Sequence, residues 1–429
     1  MPALSQSRFL RLFTFGALYL AQGVPAGFVS VGYVIFLTDQ GLSNEAIGSA
    51  IGLMAIPWTF KIFWALLLDR FHSTRFGRRR PFIIGAELAM GATLLPLLLL
   101  DPKRELLLIH AVLFLHSTFA ALQDTAVDAL AVDLLQAKEQ ATANGVMWAS
   151  KTVGVAIGGG GGAVFAKHLG WPALILAITT ILWGTMILMI LLQERRRAEV
   201  APTRDRPRLT LAELRRSFAF PTPLIGIAIA MLTPVGFLLL TVVYTRMLRA
   251  ELKLSEEAIG TIQGLVEPIA GIVGALVGGL LADRLGVRKV IAGAMAGIGV
   301  AAAVFALAPG LRSSFTFLVL WSMAGQLFVC AYSAAMIGFL MRLSNPAVGA
   351  TQISIFMGMI NLTAAWAAPV GGRIADTYGV SAAFGVAAVA QIVFIGLLPL
   401  CDPRVAEARF PRASTEVEPP ELLGERSGI

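Results

Sequence analysis

Long apolar stretches separated by short polar segments make up most of this chain. Each stretch is close to the roughly 20 residues that an α-helix needs to cross a bilayer. None shows the strict alternation of apolar and polar residues that is typical of a barrel strand. Because a helix satisfies its own backbone hydrogen bonds in lipid, the pattern predicts an all-α membrane protein. The twelve predicted spans cover residues 10–37, 45–68, 82–101, 106–131, 142–166, 171–192, 221–245, 256–281, 290–309, 314–341, 349–372 and 380–400.

The chain also repeats itself. Residues 42–48 read LSNEAIG, and 212 residues further on residues 254–260 read LSEEAIG, so six of seven positions are identical. Each copy opens an apolar run that ends in Asp-Arg, at 69–70 and at 283–284. The matched beginnings and ends indicate a duplicated half of about six helices. Parallel repeats of this kind are typical of secondary transporters.

Composition agrees with a bilayer location and predicts an orientation. Hydrophobic residues are 57% of the 429 residues and charged residues only 14%, which is more apolar surface than a soluble core buries. If both termini are cytoplasmic, 24 Lys and Arg residues outside the spans lie on that side and 8 on the other. This bias predicts an N-in, C-in topology. It also accounts for the net charge of +8, so we expect no nucleic-acid partner.

Two changes in composition divide the chain. Residues 193–220 are rich in Arg and Pro and are predicted to form a cytoplasmic linker. It joins an N-terminal six-helix bundle, residues 1–192, to a C-terminal six-helix bundle, residues 221–402. Residues 403–429 are rich in Pro and Glu with little apolar content, and we expect a disordered cytoplasmic tail there.

The turns after the second and eighth spans share a signature. Residues 278–289 read GGLLADRLGVRK, and residues 67–70 with 77–80 read LLDR and GRRR. They resemble the cytoplasmic loop signature of the major facilitator superfamily, G-x-L-x-D-R-x-G-x-R-K. The resemblance implies that superfamily's fold, in which twelve helices form two pseudo-symmetric six-helix halves.

The same resemblance assigns a gating role to the acidic and basic residues of these turns. They are predicted to act as conformational latches and not to touch the substrate. Asp133, at the cytoplasmic end of the fourth span, is the predicted partner of Arg70, since a cation and a carboxylate at neighbouring helix ends attract each other. The predicted latch residues are Asp69, Arg70, Asp133, Asp283 and Arg284.

Further motifs narrow the family. Residues 23–25 (GVP), 58–65 (WTFKIFWA), 76–80 (FGRRR) and 123–135 (QDTAVDALAVDLL) resemble the AmpG-like branch. That branch includes the muropeptide permease, acetyl-CoA transporters and related siderophore importers. The resemblance covers mainly residues 15–165 and implies import of a muropeptide- or siderophore-class solute across a bacterial inner membrane.

Charged residues inside the predicted spans are the candidate site. At 1.5 Å per residue, Lys61, Asp124 and Lys151 each lie about 12–13 Å from the cytoplasmic ends of their spans, near the middle of a roughly 30 Å core. Asp128 is one turn from Asp124 on the same helix face. A charge at this depth costs at least about 2.5–3.5 kcal/mol, so it normally faces a cavity and finds a partner. We predict that the lysines bind an anion and that the aspartates are counter-ions and proton carriers.

Uncharged polar residues extend this set. Amide side chains in spans either line the cavity or form hydrogen bonds between helices without a substrate. The candidates are Gln22, Gln123, Gln263, Gln326 and Asn361.

Four other ionisable residues have weaker assignments. Glu87 is expected to pair near the surface or to serve the site. Glu267, beside Pro268, is expected to serve an external gate or a helix kink. His110 and His116 are candidates for a proton relay.

Glycines are predicted to supply a moving surface between helices. Gly154, Gly158 and Gly162 lie four apart on the fifth span, and Gly271, Gly274 and Gly278 share a face of the eighth. Small-residue stripes permit close helix crossing. We expect these two stripes to support the crossing of the two halves.

The functional hypothesis is a secondary active transporter, with proton-coupled import of a small-to-medium, partly anionic solute. The alternatives are a drug or metabolite exporter of the same superfamily and a non-transporting membrane receptor. A closed Lys-Asp network that only holds helices together also remains open. The sequence has no nucleophile elbow, metal-ligand spacing or phosphate loop, so we expect no enzymatic activity and no cofactor. We also expect a monomer.

The topology is directly testable. Reporter fusions at residue 205 and after residue 402 should read cytoplasmic, and a fusion near residue 41 should read external, because the basic bias favours one orientation. An external reading at residue 205 would contradict the twelve-helix topology.

Overall fold

The computed structural model of the protein describes residues 2–70, 77–101, 104–135, 137–194, 215–345 and 349–409. Twelve long helices dominate this part of the chain. They are α1 (Arg8–Asp39), α2 (Asn44–Leu68), α3 (Arg80–Leu98), α4 (Leu106–Leu134), α5 (Ala137–Ala156, continuing through Ile157–Gly161 and Gly162–Leu169), α6 (Trp171–Leu191), α7 (Pro221–Glu251), α8 (Glu256–Leu285), α9 (Val287–Leu307), α10 (Phe315–Leu343), α11 (Gly349–Tyr378) and α12 (Val380–Val393, continuing as a 3₁₀ segment Phe394–Leu400).

Eleven of these helices are long and apolar enough to cross a membrane. The remaining one, α5, is rich in Gly and carries Lys151 and Lys167, so its apolar character is weaker. Large apolar side chains lie on the outer surface of the bundle. On α8, for example, Leu276 is 64% exposed and Leu280 is 61% exposed. Such surface is stable in lipid and not in water. The prediction of an all-α membrane protein is confirmed.

Each half has its own apolar core, and a third cluster joins the halves. Leu18, Ile83 and Leu130 are buried within the N-terminal half, as Ile291 and Phe339 are within the C-terminal half. The joining cluster brings side chains of α1 and α5 against α7 and α8. Its members include Val31, Ile35, Ala163, Val243, Met247, Ile259 and Ile262. The two-half architecture predicted from the repeat is therefore present.

Glycines set the close packing of α1 against α5. A methyl group added at Gly158 would lie 1.8 Å from the Val24 carbonyl oxygen, and one at Gly23 would lie 2.3 Å from the Lys151 carbonyl oxygen. No residue with a side chain fits at such distances. The contact places Lys151 beside α1.

The predicted role of the glycine stripes was wrong in detail. Gly154 and Gly158 face α1 and not α8, whereas Gly274 and Gly278 face Leu327 and Ala331 of α10. The helices α5 and α8 do cross closely, but through other glycines. A methyl group at Gly160 would lie 2.9 Å from the Cα atoms of Gly260 and Gly264.

Three consecutive arginines at the start of α3, Arg78 to Arg80, connect several helix ends. The Glu194 carboxylate accepts hydrogen bonds from the backbone N–H groups of Arg78, Arg79 and Arg80, at 2.8, 2.6 and 2.5 Å. A carboxylate is stabilised there because the N-terminus of a helix has unpaired N–H groups and a partial positive charge. Gly77, with φ +99°, makes room for it.

The arginine side chains reach the ends of other helices. Arg79, only 4% exposed, donates to Asp133 at 3.1 Å and to the Leu68 carbonyl oxygen at 3.0 Å. Arg80 donates to the carbonyl oxygens of Met189 and Ile190 at the end of α6. Arg79 and Arg80 therefore stabilise the ends of α2, α4 and α6.

This arrangement bears on the predicted latch. The described partner of Asp133 is Arg79, which the sequence analysis did not single out. The predicted pairing with Arg70 falls outside the described part of the chain, as do the side chain of Asp69 and residues 71–76.

The predicted tail and linker boundaries need correction. The first residues of the predicted disordered tail form a further helix, α13 (Pro403–Arg409), and Arg342 of α10 binds Glu407 there at 2.6 Å. Gln193 and Glu194, assigned to the linker, belong to the N-terminal half, since Gln193 pairs with Ala3. Residues 195–214 and 410–429 lie outside the described residues.

The two ends of the molecule differ. Every ion pair between the halves in the described part of the chain lies at the end that carries residues 40–43 and 252–255, and these pairs join Asp39 to Arg249 and Lys167 to Glu256 and Glu257. We call this the closed end. The opposite end carries residues 2, 194 and 409, and its described ion pairs stay within one half.

The glycine packing of α1 and α5 predicts a sharp positional effect. Gly158→Ala should destabilise the protein by about 1–3 kcal/mol or more, because the added methyl group must push the helices apart. Gly145→Ala is the control on the same helix, since nothing lies within 4 Å of the added methyl group. It should be neutral or stabilising by up to about 1 kcal/mol. Thermal unfolding of the purified variants measures both, and equal melting temperatures would refute the account.

Candidate functional site

The position of Lys61 follows from a break in α2. Pro57 lacks a backbone N–H, and the regular helix ends at Thr59 and resumes at Lys61. Phe60, between them, has φ −95° and ψ 19°. A proline is a common cause of such a break. Lys61 therefore starts a new helical segment in the middle of the bundle.

Lys61, Lys151 and Asp124 meet there, each from a different helix. Lys61 forms a direct ion pair with Asp124, and the Lys151 ammonium lies 4.0 Å from the other carboxylate oxygen of Asp124. The side chain of Asp124 is 5% exposed, and those of Lys61 and Lys151 are 18% and 20% exposed. A carboxylate this deeply buried is stable because cations flank it.

Asp128 occupies a more open position. It accepts a hydrogen bond from the Tyr19 hydroxyl, and its carboxylate lies 4.0 Å from the Lys61 ammonium. Its side chain is 48% exposed, in contrast to 5% for Asp124. Two lysines and two aspartates thus form one cluster whose formal charges balance, and Asp128 is its most exposed member.

A chain of hydrogen bonds extends from this cluster through the N-terminal half. Gln22 donates to Asp124 at 2.7 Å and to Gln123 at 3.1 Å. Gln123 donates to Glu87 at 2.8 Å, and Glu87 also accepts from Thr185 at 2.8 Å. All six helices α1 to α6 therefore contribute a side chain.

Glu87 corrects one expectation. It does not pair near the surface, because it is fully buried with 0% exposure. Its carboxyl group is held by Gln123 and Thr185, and no ion pair to it is present in the described part of the chain.

Aromatic rings surround the second lysine. The Lys151 ammonium lies 5.8, 5.4 and 5.5 Å from the ring centres of Tyr19, Trp58 and Trp148. The Trp58 ring also lies 5.5 Å from the Lys61 ammonium. Cation–π contacts of this kind contribute about 0.5–2 kcal/mol each. Lys151 is thus stabilised largely by rings and only loosely by a carboxylate.

The cluster faces the end opposite the closed end. Phe63, two residues after Lys61 toward that end, is 60% exposed, and Trp148 is 52% exposed. Asp128 is also exposed, at 48% of its side chain. We call that end the open end.

The C-terminal half contributes little to the cluster. Asn361 of α11 donates to the Trp58 carbonyl oxygen at 3.4 Å, so it lies at the edge of the site. Gln326 instead donates to Cys330 on its own helix at 3.4 Å, and Gln263 pairs with Thr245. Glu267 is partly buried in the C-terminal half, away from the lysines.

The histidines and the second latch pair also lie apart from the cluster. His116 is buried and contacts the Met90 carbonyl oxygen at 3.0 Å, and His110 packs edge-on against Tyr33. No hydrogen bond joins either ring to Asp124 in the described residues. Asp283 and Arg284 are exposed at the end of α8 that lies at the open end.

Sequence reasoning missed several members of the site. Tyr19 lies three residues before Gln22, so both lie on one face of α1, and this spacing could have revealed it. Trp148 lies three residues before Lys151 in the same way. Thr185 carries no comparable signal, because an isolated threonine in a span usually bonds its own helix.

A sequence profile supports a family assignment. The profile of the Major Facilitator Superfamily matches residues 12–248 and 225–423, which is nearly the whole chain. A point mutant of the nucleoside transporter NupG superposes with a TM-score of 0.72 at 13% identity, covering 91% of this chain and 99% of that one. The D-xylose–proton symporter gives the same TM-score and identity and covers 91% and 97%. Both share the fold.

Similarity to a known permease bears on the branch of the superfamily. The anhydromuropeptide permease of Escherichia coli strain K12 is 23% identical over 393 residues, which are 89% of this chain and 77% of the permease. This similarity extends well beyond the motifs in residues 15–165. The chain therefore belongs to the Major Facilitator Superfamily, and within it the chain is similar to the anhydromuropeptide permease.

Proposed function

We propose that this protein is a proton-coupled importer of a small-to-medium, partly anionic solute, in the bacterial inner membrane with both termini cytoplasmic. The observation that supports the proposal best is the charge-balanced cluster of Lys61, Lys151, Asp124 and Asp128, which faces the open end. A purely structural cluster would be closed to water, whereas Asp128 has 48% of its side chain exposed.

The two lysines have different roles in this proposal. Lys61 neutralises Asp124 through a direct ion pair, and removing either partner would leave the other with only a more distant counter-ion, at 4.0 Å. Lys151 is 4.0 Å from Asp124 and is supported by aromatic rings. Lys151 is therefore the cation that an incoming carboxylate or phosphate binds. The exposed face of Trp148 beside it favours a solute with an apolar or ring-shaped surface.

Charge balance then links the solute to a proton. When an anionic group binds Lys151, the cluster gains one negative charge inside a low-dielectric environment. A proton on Asp128 restores neutrality, and two neighbouring carboxylates share protons more readily than an isolated one. Solute and proton therefore favour each other's binding and cross together. Asp124 remains the fixed counter-ion.

Two alternative functions make different demands on the cluster. An exporter of cationic drugs binds its substrate with acidic side chains, and two lysines beside those acids would neutralise them. A non-transporting receptor would bind a solute without moving it, so uptake into proteoliposomes separates it from a transporter. The relative named as a permease for anhydromuropeptides favours import of a peptidoglycan-derived solute or of a siderophore-like anion of similar size.

A ligand screen tests the substrate class. Peptidoglycan fragments, ferric siderophores and acyl-CoA are each added to the purified protein. A true ligand at 100 times its Kd stabilises the protein by about 2.7 kcal/mol and raises the melting temperature. The compound that does so is then followed for uptake into proteoliposomes.

Lys151→Gln should weaken binding of an anionic solute at least about ten-fold, because a charged hydrogen bond contributes about 1.5–3 kcal/mol. Its melting temperature should stay near that of the wild type, since Asp124 keeps its ion pair with Lys61. The control is Lys253→Gln, an exposed lysine at the closed end. If Lys151→Gln and Lys253→Gln bound the anionic solute with equal affinity, Lys151 would be excluded as a binding residue.

The two aspartates should differ when each is changed to asparagine. Asp128→Asn should abolish uptake driven by a pH gradient and retain solute exchange, because exchange needs no net proton movement. Asp124→Asn should instead destabilise the protein by up to about 3–5 kcal/mol, since Lys61 then keeps only the more distant carboxylate of Asp128, at 4.0 Å, and Lys151 loses its contact with Asp124. Asp101→Asn, at an exposed loop, is the control. Full gradient-driven uptake by Asp128→Asn would exclude it as the proton carrier.

A further inference from the structure

A short sequence recurs at three helix ends. Residues 282–287 read ADRLGV at the end of α8, residues 375–380 read ADTYGV at the end of α11, and residues 166–170 read AKHLG at the end of α5. The glycine of each copy has a positive φ, of 92°, 87° and 85° respectively. These φ values are unfavourable for residues with a side chain. Each glycine directly precedes the next helix, so the three copies form the same turn.

The copies lie at opposite ends of the molecule. The copy after α8 lies at the open end, and those after α5 and α11 lie at the closed end. An opposite orientation is expected if each six-helix half is itself built from two inverted three-helix repeats. The second residue of each copy is then an equivalent position, held by Asp283, Asp376 and Lys167.

Asp376 joins the two halves at the closed end. One of its carboxylate oxygens accepts from the backbone and side-chain amides of Asn44, at 3.0 and 2.7 Å, and the other accepts from the Glu45 backbone N–H at 2.8 Å. A carboxylate of α11 thus caps the N-terminus of α2 across the interface between the halves. Arg246 reinforces the junction by donating to the Leu42 carbonyl oxygen at 3.0 Å.

Lys167 makes the equivalent connection with the opposite charge. Its ammonium lies 2.7 Å from Glu257 and 3.7 Å from Glu256. Both acids lie at the N-terminus of α8, at the repeat positions that match Asn44 and Glu45 of α2. Arg249 extends the connection, because it binds Glu256 at 2.8 Å and Asp39 of α1 at 2.7 Å.

The backbones under these junctions touch. A methyl group at Gly52 would lie 2.2 Å from the Ala365 carbonyl oxygen, and one at Gly372 would lie 2.3 Å from that of Asn44. Such packing forms only when the halves meet. Opening this end must break the Asp376 and Lys167 contacts together.

We propose that Asp376 and Lys167 are paired latches, formed by the same repeated turn, that hold this end shut. The inference rests on the alternating access of the proposed function. The two latches are unequal. Asp376 makes three hydrogen bonds to a helix N-terminus, whereas Lys167 and Glu257 are 42% and 48% exposed, so salt screens their attraction.

Spin labels across the closed end test the proposal. Cysteines replace Leu107 of α4 and Leu307 of α9, which are 82% and 84% exposed, in the full chain with Cys330→Ser and Cys401→Ala. Asp376→Ala should raise the population with a long distance between the labels about ten-fold or more, since charged hydrogen bonds are lost. Asp101→Ala, whose ion pair with Arg104 stays within one loop, should change nothing.

Charge exchange tests the second latch. Lys167→Glu should also raise the population with a long distance between the labels, by about two-fold, and it should do so only at low salt. Adding Glu257→Lys should restore the short distance, which shows that the variant folds and that the pair acts across the interface. The readout needs no substrate, so it stands even if the proposed function fails. Wild-type distances in Asp376→Ala and in Lys167→Glu, in proteins that melt like the wild type, would overturn the proposal.

Discussion

The ion pair between Lys61 and Asp124 is the interaction on which the N-terminal half depends. A carboxylate with 5% of its side chain exposed in the middle of a membrane protein requires a nearby cation. The break in α2 after Pro57 supplies that cation at the right depth, and the glycine contact of α1 with α5 brings Lys151 to the other side of Asp124. The hydrogen bonds of Gln22, Gln123 and Glu87 then extend the constraint to the remaining helices.

The two halves have diverged in chemistry while keeping one architecture. Moving Lys61 by the 212-residue repeat leads to Val273, so the C-terminal half has no cation at the equivalent position. Its contribution to the site is Asn361, which touches the Trp58 carbonyl oxygen. One half thus holds the charged groups, and the other provides a largely neutral wall and half of the closed end. In the proposed alternating access, this division would let the charged network stay intact while the halves move relative to each other.

Local turns control both ends of the bundle. At the open end, Arg79 and Arg80 bind the ends of α2, α4 and α6 within one half. At the closed end, Asp376 binds the start of α2 from the other half. Both arrangements use the unpaired backbone groups and partial charges that every helix end carries. The two ends differ in where the bound helix end lies. Arg79 and Arg80 bind helix ends of their own half, whereas Asp376 binds a helix of the other half, and only a contact of the second kind would resist separation of the halves.

The sequence alone determined the membrane location, the twelve helices and the duplicated half, because these follow from the length of the apolar stretches and from a repeat along the chain. Depth counting also selected Lys61, Asp124 and Lys151, since rise per residue is fixed in a helix. The partners of each charge depended on tertiary structure. Tyr19 at Asp128, Arg79 at Asp133 and Asp376 at Asn44 are contacts between distant segments. Which face of one helix meets another is decided by packing, such as the glycines that set α1 against α5, and no local pattern records it.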